Sequence, residues 1–338
     1  MNRVGRFLIK RLLMIPLSLF IVMTLSFGLV ELLPGDPALV IAGSFASAEQ
    51  VELVREELGL GRPLGERYID YMGSILRGDL GTSFFTGRTV TSEIARRLPG
   101  TVELIGLSLL AAAIIGFIVG TVGAYFSRRI PGRLSASAIT TFQSTPDFFL
   151  ALLFIYLFFF LAGIAPAPVG RLGIAGESPA PVTGILTLDG LLIGNLALTR
   201  VALQHLFLPV LALGLVYSAY FAKTARATMS DALVSKQVEF ARACGLSEWQ
   251  VIRYAFLQAR TPIITYGAIL FGALVGGAAI IETIFSWQGV GQWALEAILR
   301  LDIPTIQGFI FITGFVTIVV YLLLDLVTLL LDPRVTID

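Results

Sequence analysis

Six separate stretches of this chain are apolar over about twenty residues each, and that pattern restricts the chain to a small set of folds. They cover residues 12–30, 104–126, roughly 140–164, 206–222, 261–281 and 303–324. Hydrocarbon offers a backbone amide no partner, so a segment that crosses it must satisfy its own hydrogen bonds, and about 20 residues of α-helix reach across. The fourth stretch is the shortest and borrows a turn from its flank, whereas the apolar run at 191–198 is too short to span. The expected fold is an all-α integral membrane protein of six transmembrane helices. Charge content agrees: 14% of residues are charged, against about a quarter in soluble domains.

Arg3, Arg6, Lys10 and Arg11 precede the first stretch. That stretch exceeds the roughly 7–15 residues of a signal-peptide core, and Pro34-Gly35-Asp36-Pro37 stands where a cleavage site would be, so a retained helix is expected. Basic residues set orientation. With both termini in the cytoplasm, the inner segments carry 14 Lys/Arg against 7 Asp/Glu, and the outer ones 10 against 16. The resulting division is a tail and first helix (1–33), an outer loop region (34–103), a core of helices two to six (104–331) and a cytoplasmic tail (332–338).

Two connecting segments are expected to be folded. In the outer loop, Ser47-x-x-Gln50 reads as a capping box opening a helix with Val51, Val54 and Leu58 on one face and Gly59 past its end. Tyr68, Ile69, Tyr71, Met72, Ile75 and Leu76 suggest a second helix. The region is either a lid over the bundle or a docking surface. The inner loop 223–260 is more informative. A helical pattern runs from Met229 to Ala243, Gly245 occupies the position where a left-handed residue ends a helix, and Leu246 follows as its apolar partner. Ser247-Glu248-Trp249-Gln250 then opens another helix, expected to stop before Pro262. The segment is thus a helix–turn–helix elbow whose face of Val251, Ile252, Ala255 and Phe256 is offered to a partner protein or to the membrane surface.

Chemistry of its own is not apparent. None of the three lysines (Lys10, Lys223, Lys236) follows a phosphate-cradling glycine pattern. The apolar cores hold no ionisable residue except Asp147, beside Pro146 near the inner end of the third stretch, which argues against ion coupling. One cysteine (Cys244) precludes an internal disulfide and one histidine (His205) a Cys/His metal cluster; both are read as packing residues. A polytopic chain without an engine, carrying an ordered elbow, suggests the pore subunit of a transporter driven by a separate ATPase. A secondary transporter, or a membrane enzyme or receptor with an adaptor helix, is the reading from another class.

The elbow sequence Glu239-Phe240-Ala241-Arg242-Ala243-Cys244-Gly245-Leu246 resembles the EAA motif of bacterial ABC importer permeases. Glu239, Ala241 and Gly245 match its positions, and Arg242 and Ala243 match the variant of the peptide branch. Pro262 lies farther from Gly245 than in the general pattern, a spacing similar to the peptide/nickel branch. Leu32-Leu33-Pro34-Gly35-Asp36-Pro37, Gly78-Asp79-Leu80-Gly81-Thr82-Ser83, Glu282-Thr283-Ile284-Phe285-Ser286-Trp287 and Leu331-Asp332-Pro333-Arg334 resemble the rest of that branch, and the chain is similar to its B-type permeases.

The resemblance implies a type I ABC importer transmembrane-domain fold in the bacterial plasma membrane, with substrate peptides as cargo. It implies a homologous C-type second permease, two ATP-binding subunits and an extracytoplasmic solute-binding protein. It also implies that Glu239, Ala241, Arg242, Ala243, Gly245, Leu246 and Ser247 couple to the ATPases, which hold ATP and Mg while this chain binds no cofactor. Nickel, glutathione and oligosaccharide importers have similar permeases. The Pro/Gly-rich outer loop 163–204 is longer than the family leads one to expect.

Overall fold

The computed structural model describes residues 3–43, 45–173 and 181–331. The tail 332–338, and Gly176 and Pro179 of the Pro/Gly-rich loop, lie outside the described residues. The described residues fold into helices: α1 (Arg3–Glu31), α2 (Pro37–Ala42), α3 (Ala48–Glu57), α4 (Leu64–Leu76), α5 (Val90–Tyr125), α6 (Ile130–Ser144), α7 (Asp147–Phe154, continued by a π-helical stretch Ile155–Leu161), α8 (Leu186–Leu192), α9 (Leu196–Leu233), α10 (Lys236–Ala243), α11 (Glu248–Ile284), α12 (Val290–Arg300) and α13 (Ile303–Leu331). α1, α5, α9, α11 and α13 are each long and apolar enough to cross a membrane.

The third apolar stretch departs from the expected straight helix. α6 and α7 meet at a bend of 100°, so the stretch counts as a sixth span only when the bent pair is taken together. Pro146 is the cause: it lacks an amide hydrogen and pushes Thr145 into extended backbone (φ −97°, ψ 125°). Pro262 has the opposite fate. The second elbow helix was expected to stop before it, yet α11 runs through it to Ile284. An apolar segment gains by keeping every other backbone bond internal, and one missing amide does not outweigh that. The first elbow helix also differs, because Met229 belongs to α9 and a break at Val234 separates it from α10.

The chain divides into two compact units, residues 1–99 with 288–318, and residues 100–287 with 319–338. In the first unit the expected loop helices form. Ser47 and Gln50 make the reciprocal capping box, with Ser47 N–H donating to Gln50 Oε1 at 2.8 Å and Gln50 N–H to Ser47 Oγ at 3.3 Å. α4 lies against α1, where Phe27 packs edge-on to Tyr68, Tyr68 and Thr24 share a hydrogen bond, and Arg67 grips Glu31 with two nitrogens. Val90, Ile94 and Trp293 form an apolar core beside Glu93.

In the second unit α9 is the centre, packed by α6, α7, α8 and α11. α5 approaches it through Gly116 and Gly120. A Cβ on Gly116 would sit 2.7 Å from the Ser218 carbonyl, and one on Gly120 would sit 2.6 Å from that of Ala222. Small residues at this spacing let two helices touch backbone to backbone, the usual source of helix association where lipid removes the hydrophobic drive.

Candidate functional site: the α10–α11 elbow

The elbow is built from three short-range devices. Ser235, in extended backbone, accepts the Val238 amide and opens α10. At the other end the Gly245 amide donates to the Arg242 carbonyl at 2.9 Å and the Leu246 amide to the Ala241 carbonyl at 3.2 Å, the paired bonds that close a helix on a left-handed residue. Gly245 has φ +75°, as the sequence led us to expect. Ser247, again extended, opens α11, and Gln250 Oε1 accepts both its amide (2.9 Å) and its hydroxyl (3.0 Å).

Packing then decides which faces remain free. Val238 and Ala241 of α10 are buried against α11, whose Val251 and Ala255 have no exposure at all. Phe256 stacks edge-on against Phe117 of α5 at 4.8 Å. The face expected to meet a partner is therefore consumed within the chain. A different face is exposed: Phe240 (71%), Trp249 (75%), Tyr254 and Leu257. Phe240, Tyr254 and Leu257 line a groove of about 920 Å³ together with Lys236, Cys244 and Arg260. Large aromatic side chains left exposed beside a rigid turn are the composition of an interface core. On α11 the exposed residues Trp249, Tyr254 and Leu257 stand only one or two positions from Val251, Ala255 and Phe256, so sequence alone does not separate the two faces.

Of the motif residues, Glu239, Arg242, Ala243, Gly245 and Ser247 are exposed, Leu246 is half-buried and Ala241 is buried. Arg242 pairs with Glu248 at 3.7 Å, and the Tyr125 hydroxyl donates to the same carboxylate at 2.9 Å, which ties the elbow to the end of α5. Cys244, expected to be a packing residue, is exposed. His205 is tied to its own helix through Val201 O at 3.0 Å.

A second class of functional group escaped the sequence reading. Glu93, Glu103, Asp189, Glu282 and Asp302 are all buried, although a charge count places them on the outer surface. Glu103 accepts from Arg171 at 2.6 Å and from Thr187 at 2.7 Å, and Glu282 accepts from Thr101. Asp189 gathers the Thr183 hydroxyl and the amides of Val182, Thr183 and Gly184. Burial pushes its carboxyl up, but these hydrogen bonds outweigh that and hold it below the ordinary value. These groups pin the connecting segments to the helices that carry them.

Comparison with known proteins places this architecture. Residues 112–337 match the model of the binding-protein-dependent transport system inner membrane component family, and residues 4–105 match that of its N-terminal region. The chain is 39% identical over 315 residues to the Probable D,D-dipeptide transport system permease protein DdpB of Escherichia coli (strain K12), covering 93% of this chain and 92% of that one. It is 33% identical over 330 residues to the Glutathione transport system permease protein GsiC of the same strain, covering 97% and 98%. The crystal structure of an amino acid ABC transporter with histidines aligns with 70% of this chain and 90% of that one at 20% identity and a TM-score of 0.43, too distant a likeness to carry weight. A multi-pass helical chain matched along nearly its whole length in this way belongs to the binding-protein-dependent transport system inner membrane component family, as an ABC importer permease of the peptide/nickel type.

Proposed function

We propose that this chain forms the translocation path of an ATP-driven peptide importer in the bacterial plasma membrane, with its α10–α11 elbow seated on an ATP-binding subunit. The observation that carries the coupling role is the exposed set Phe240, Trp249, Tyr254 and Leu257, held on a turn stiffened at Ser235, Gly245 and Ser247. Glu239 and Arg242 flank it as exposed charges that select the partner's orientation. Hydrolysis belongs to two partner ATPases, and this chain converts their movement into rearrangement of its helices.

Both termini, residues 128–133 and the elbow face the cytoplasm, and the loops 34–103, 163–204 and 282–302 face outward, where a solute-binding protein delivers cargo. A homologous permease completes the path. The two relatives above are named for a D,D-dipeptide and for glutathione, both small peptides carrying a free ammonium group, and that shared chemistry supports a peptide as cargo.

The test is co-purification of the ATP-binding subunits and peptide uptake in reconstituted vesicles, with the double variant Phe240→Ala, Trp249→Ala. Hot-spot aromatics each contribute on the order of 2 kcal/mol or more to an interface, so association should fall by more than tenfold while the membrane helices still insert. Unimpaired association and uptake would remove the elbow as the coupling element.

A further inference from the structure

Asp147 is the one acid in the apolar cores, and the elbow makes no use of it. It begins α7, directly after the bend at Thr145-Pro146. The bend opens a cavity of about 550 Å³ between α6, α7, α9 and α11, and Gln143, Thr145, Asp147, Tyr217, Tyr220 and Tyr266 contribute its polar wall. Non-helical backbone inside a spanning segment is tolerated where it borders such a cavity, and an ionisable group there carries a functional presumption.

The two carboxylate oxygens have separate tasks. Oδ1 accepts the Phe148 amide at 2.8 Å and so satisfies the positive end of α7. Oδ2 lies over Gly277 of α11: a Cβ there would come within 2.8 Å of it and within 2.7 Å of the Tyr217 hydroxyl. Gly277 thus leaves room for two polar atoms to converge. The Tyr217 hydroxyl spends its hydrogen on the Ala273 carbonyl at 3.0 Å, so a lone pair, and not a donor, is what it offers the cavity. The end of α6 adds the negative pole of a helix, and no Lys or Arg is among the residues that line the space.

The Asp147 carboxylate, the Tyr217 lone pair and the end of α6 together favour a cation. Its nature follows from the donor set. Among the described residues no three His, Cys, Asp or Glu cluster, and a single carboxylate with phenols is poor coordination for a divalent metal. An ammonium group suits it: three hydrogens for Oδ2, the Tyr217 oxygen and a neighbouring amide or hydroxyl oxygen, with the Tyr220 and Tyr266 rings at hand for cation–π contact.

We infer that Asp147 and Tyr217, at the wall of the cavity beside this bend, form a binding station for the ammonium group of the transported molecule. This rests on the importer reading above and names a recognition site within it.

The experiment uses the full transporter, this chain with its partner subunits in nanodiscs, without the binding protein. Labelled alanyl-alanine and its N-acetyl derivative are the probes. The unmodified complex should bind the free dipeptide at least about tenfold more tightly, in keeping with a charge-assisted hydrogen bond. Asp147→Asn keeps the shape and the Oδ1 cap but removes the charge, and should abolish that preference while binding of the acetylated probe stays the same. Asp147→Glu, which keeps the charge, should retain a preference.

Equal binding of both probes by the unmodified complex, or no binding of either, would overturn the station even if Asp147→Asn fails to assemble. An unchanged preference in Asp147→Asn would overturn it as well. Uptake by the unmodified transporter with its binding protein, measured in parallel, separates failure of the station from failure of the importer reading.

Discussion

Ser83 and Asp302, 219 residues apart in sequence, share a buried hydrogen bond of 2.6 Å from the hydroxyl to Oδ2. The same carboxylate accepts the Phe84 amide at 3.1 Å and the Thr305 hydroxyl at 2.9 Å. Asp302→Ala strands all three donors. Hydrogen bonds to a charged acceptor are each worth about 1.5–3 kcal/mol, and partial rehydration recovers some of this, so a loss of roughly 2–4 kcal/mol is expected. Thermal unfolding in detergent should show it, together with faster proteolysis near residues 80–88. Ser83→Ala should cost less, because the carboxylate keeps two partners and the groups it strands, the Phe85 and Thr86 amides, donate to a neutral oxygen in a part-buried turn.

Gly245→Val should act on the elbow through backbone strain alone, since a Cβ there meets nothing within 4 Å. A left-handed conformation costs an ordinary residue about 1–2 kcal/mol, and a β-branched one more. The turn should reopen, α10 should shift on α11, and ATPase-coupled uptake should drop while abundance stays normal. Ser247→Ala should be milder, because its amide still donates to Gln250. Uptake by Gly245→Val at the unmodified rate would contradict the assigned role of the turn.

Gly120→Leu should separate α5 from α9. The added Cβ would lie 2.7 Å from that of Ala225 and 2.6 Å from the Ala222 carbonyl, and neither atom belongs to a flexible chain end. Overpacking of this kind costs about 1–3 kcal/mol. Gly106→Leu, where nothing lies within 4 Å, is the matched control and should leave the melting temperature nearly unchanged.

Orientation is open to a labelling test in a Cys244→Ser background. Glu57→Cys and Ser127→Cys are both at exposed positions. An impermeant thiol reagent on intact cells should modify the first and spare the second, and the pattern should reverse in everted vesicles. Modification of both in intact cells would refute the proposed topology.

Much of this architecture was legible because local rules governed it. Ser47, Gln50, Gly245 and Ser247 act within a turn of themselves, and the structure places each as its sequence neighbourhood implied. What failed depended on distant partners. Val251 and Ala255 were recognised as an apolar face, but only the fold shows that it is already buried within the chain. Pro146 and Pro262 look alike in sequence; one breaks a span and the other is absorbed into a helix. The acidic excess of the connecting loops shrinks once Glu93, Glu103, Asp189, Glu282 and Asp302 are found inside, so salt should slow the capture of a binding protein less than a charge count suggests.

α9 leads straight into the elbow, 38 residues without a break, about 57 Å of rod. Its backbone-to-backbone contact with α5, through Gly116 and Gly120, is centred near Ala222, not at the middle of its length. That fulcrum leaves an arm of roughly 16 Å toward the elbow and one of roughly 39 Å toward Leu196. A rod held so has a gear ratio above two: a small tilt imposed at its short end sweeps the far end more than twice as far.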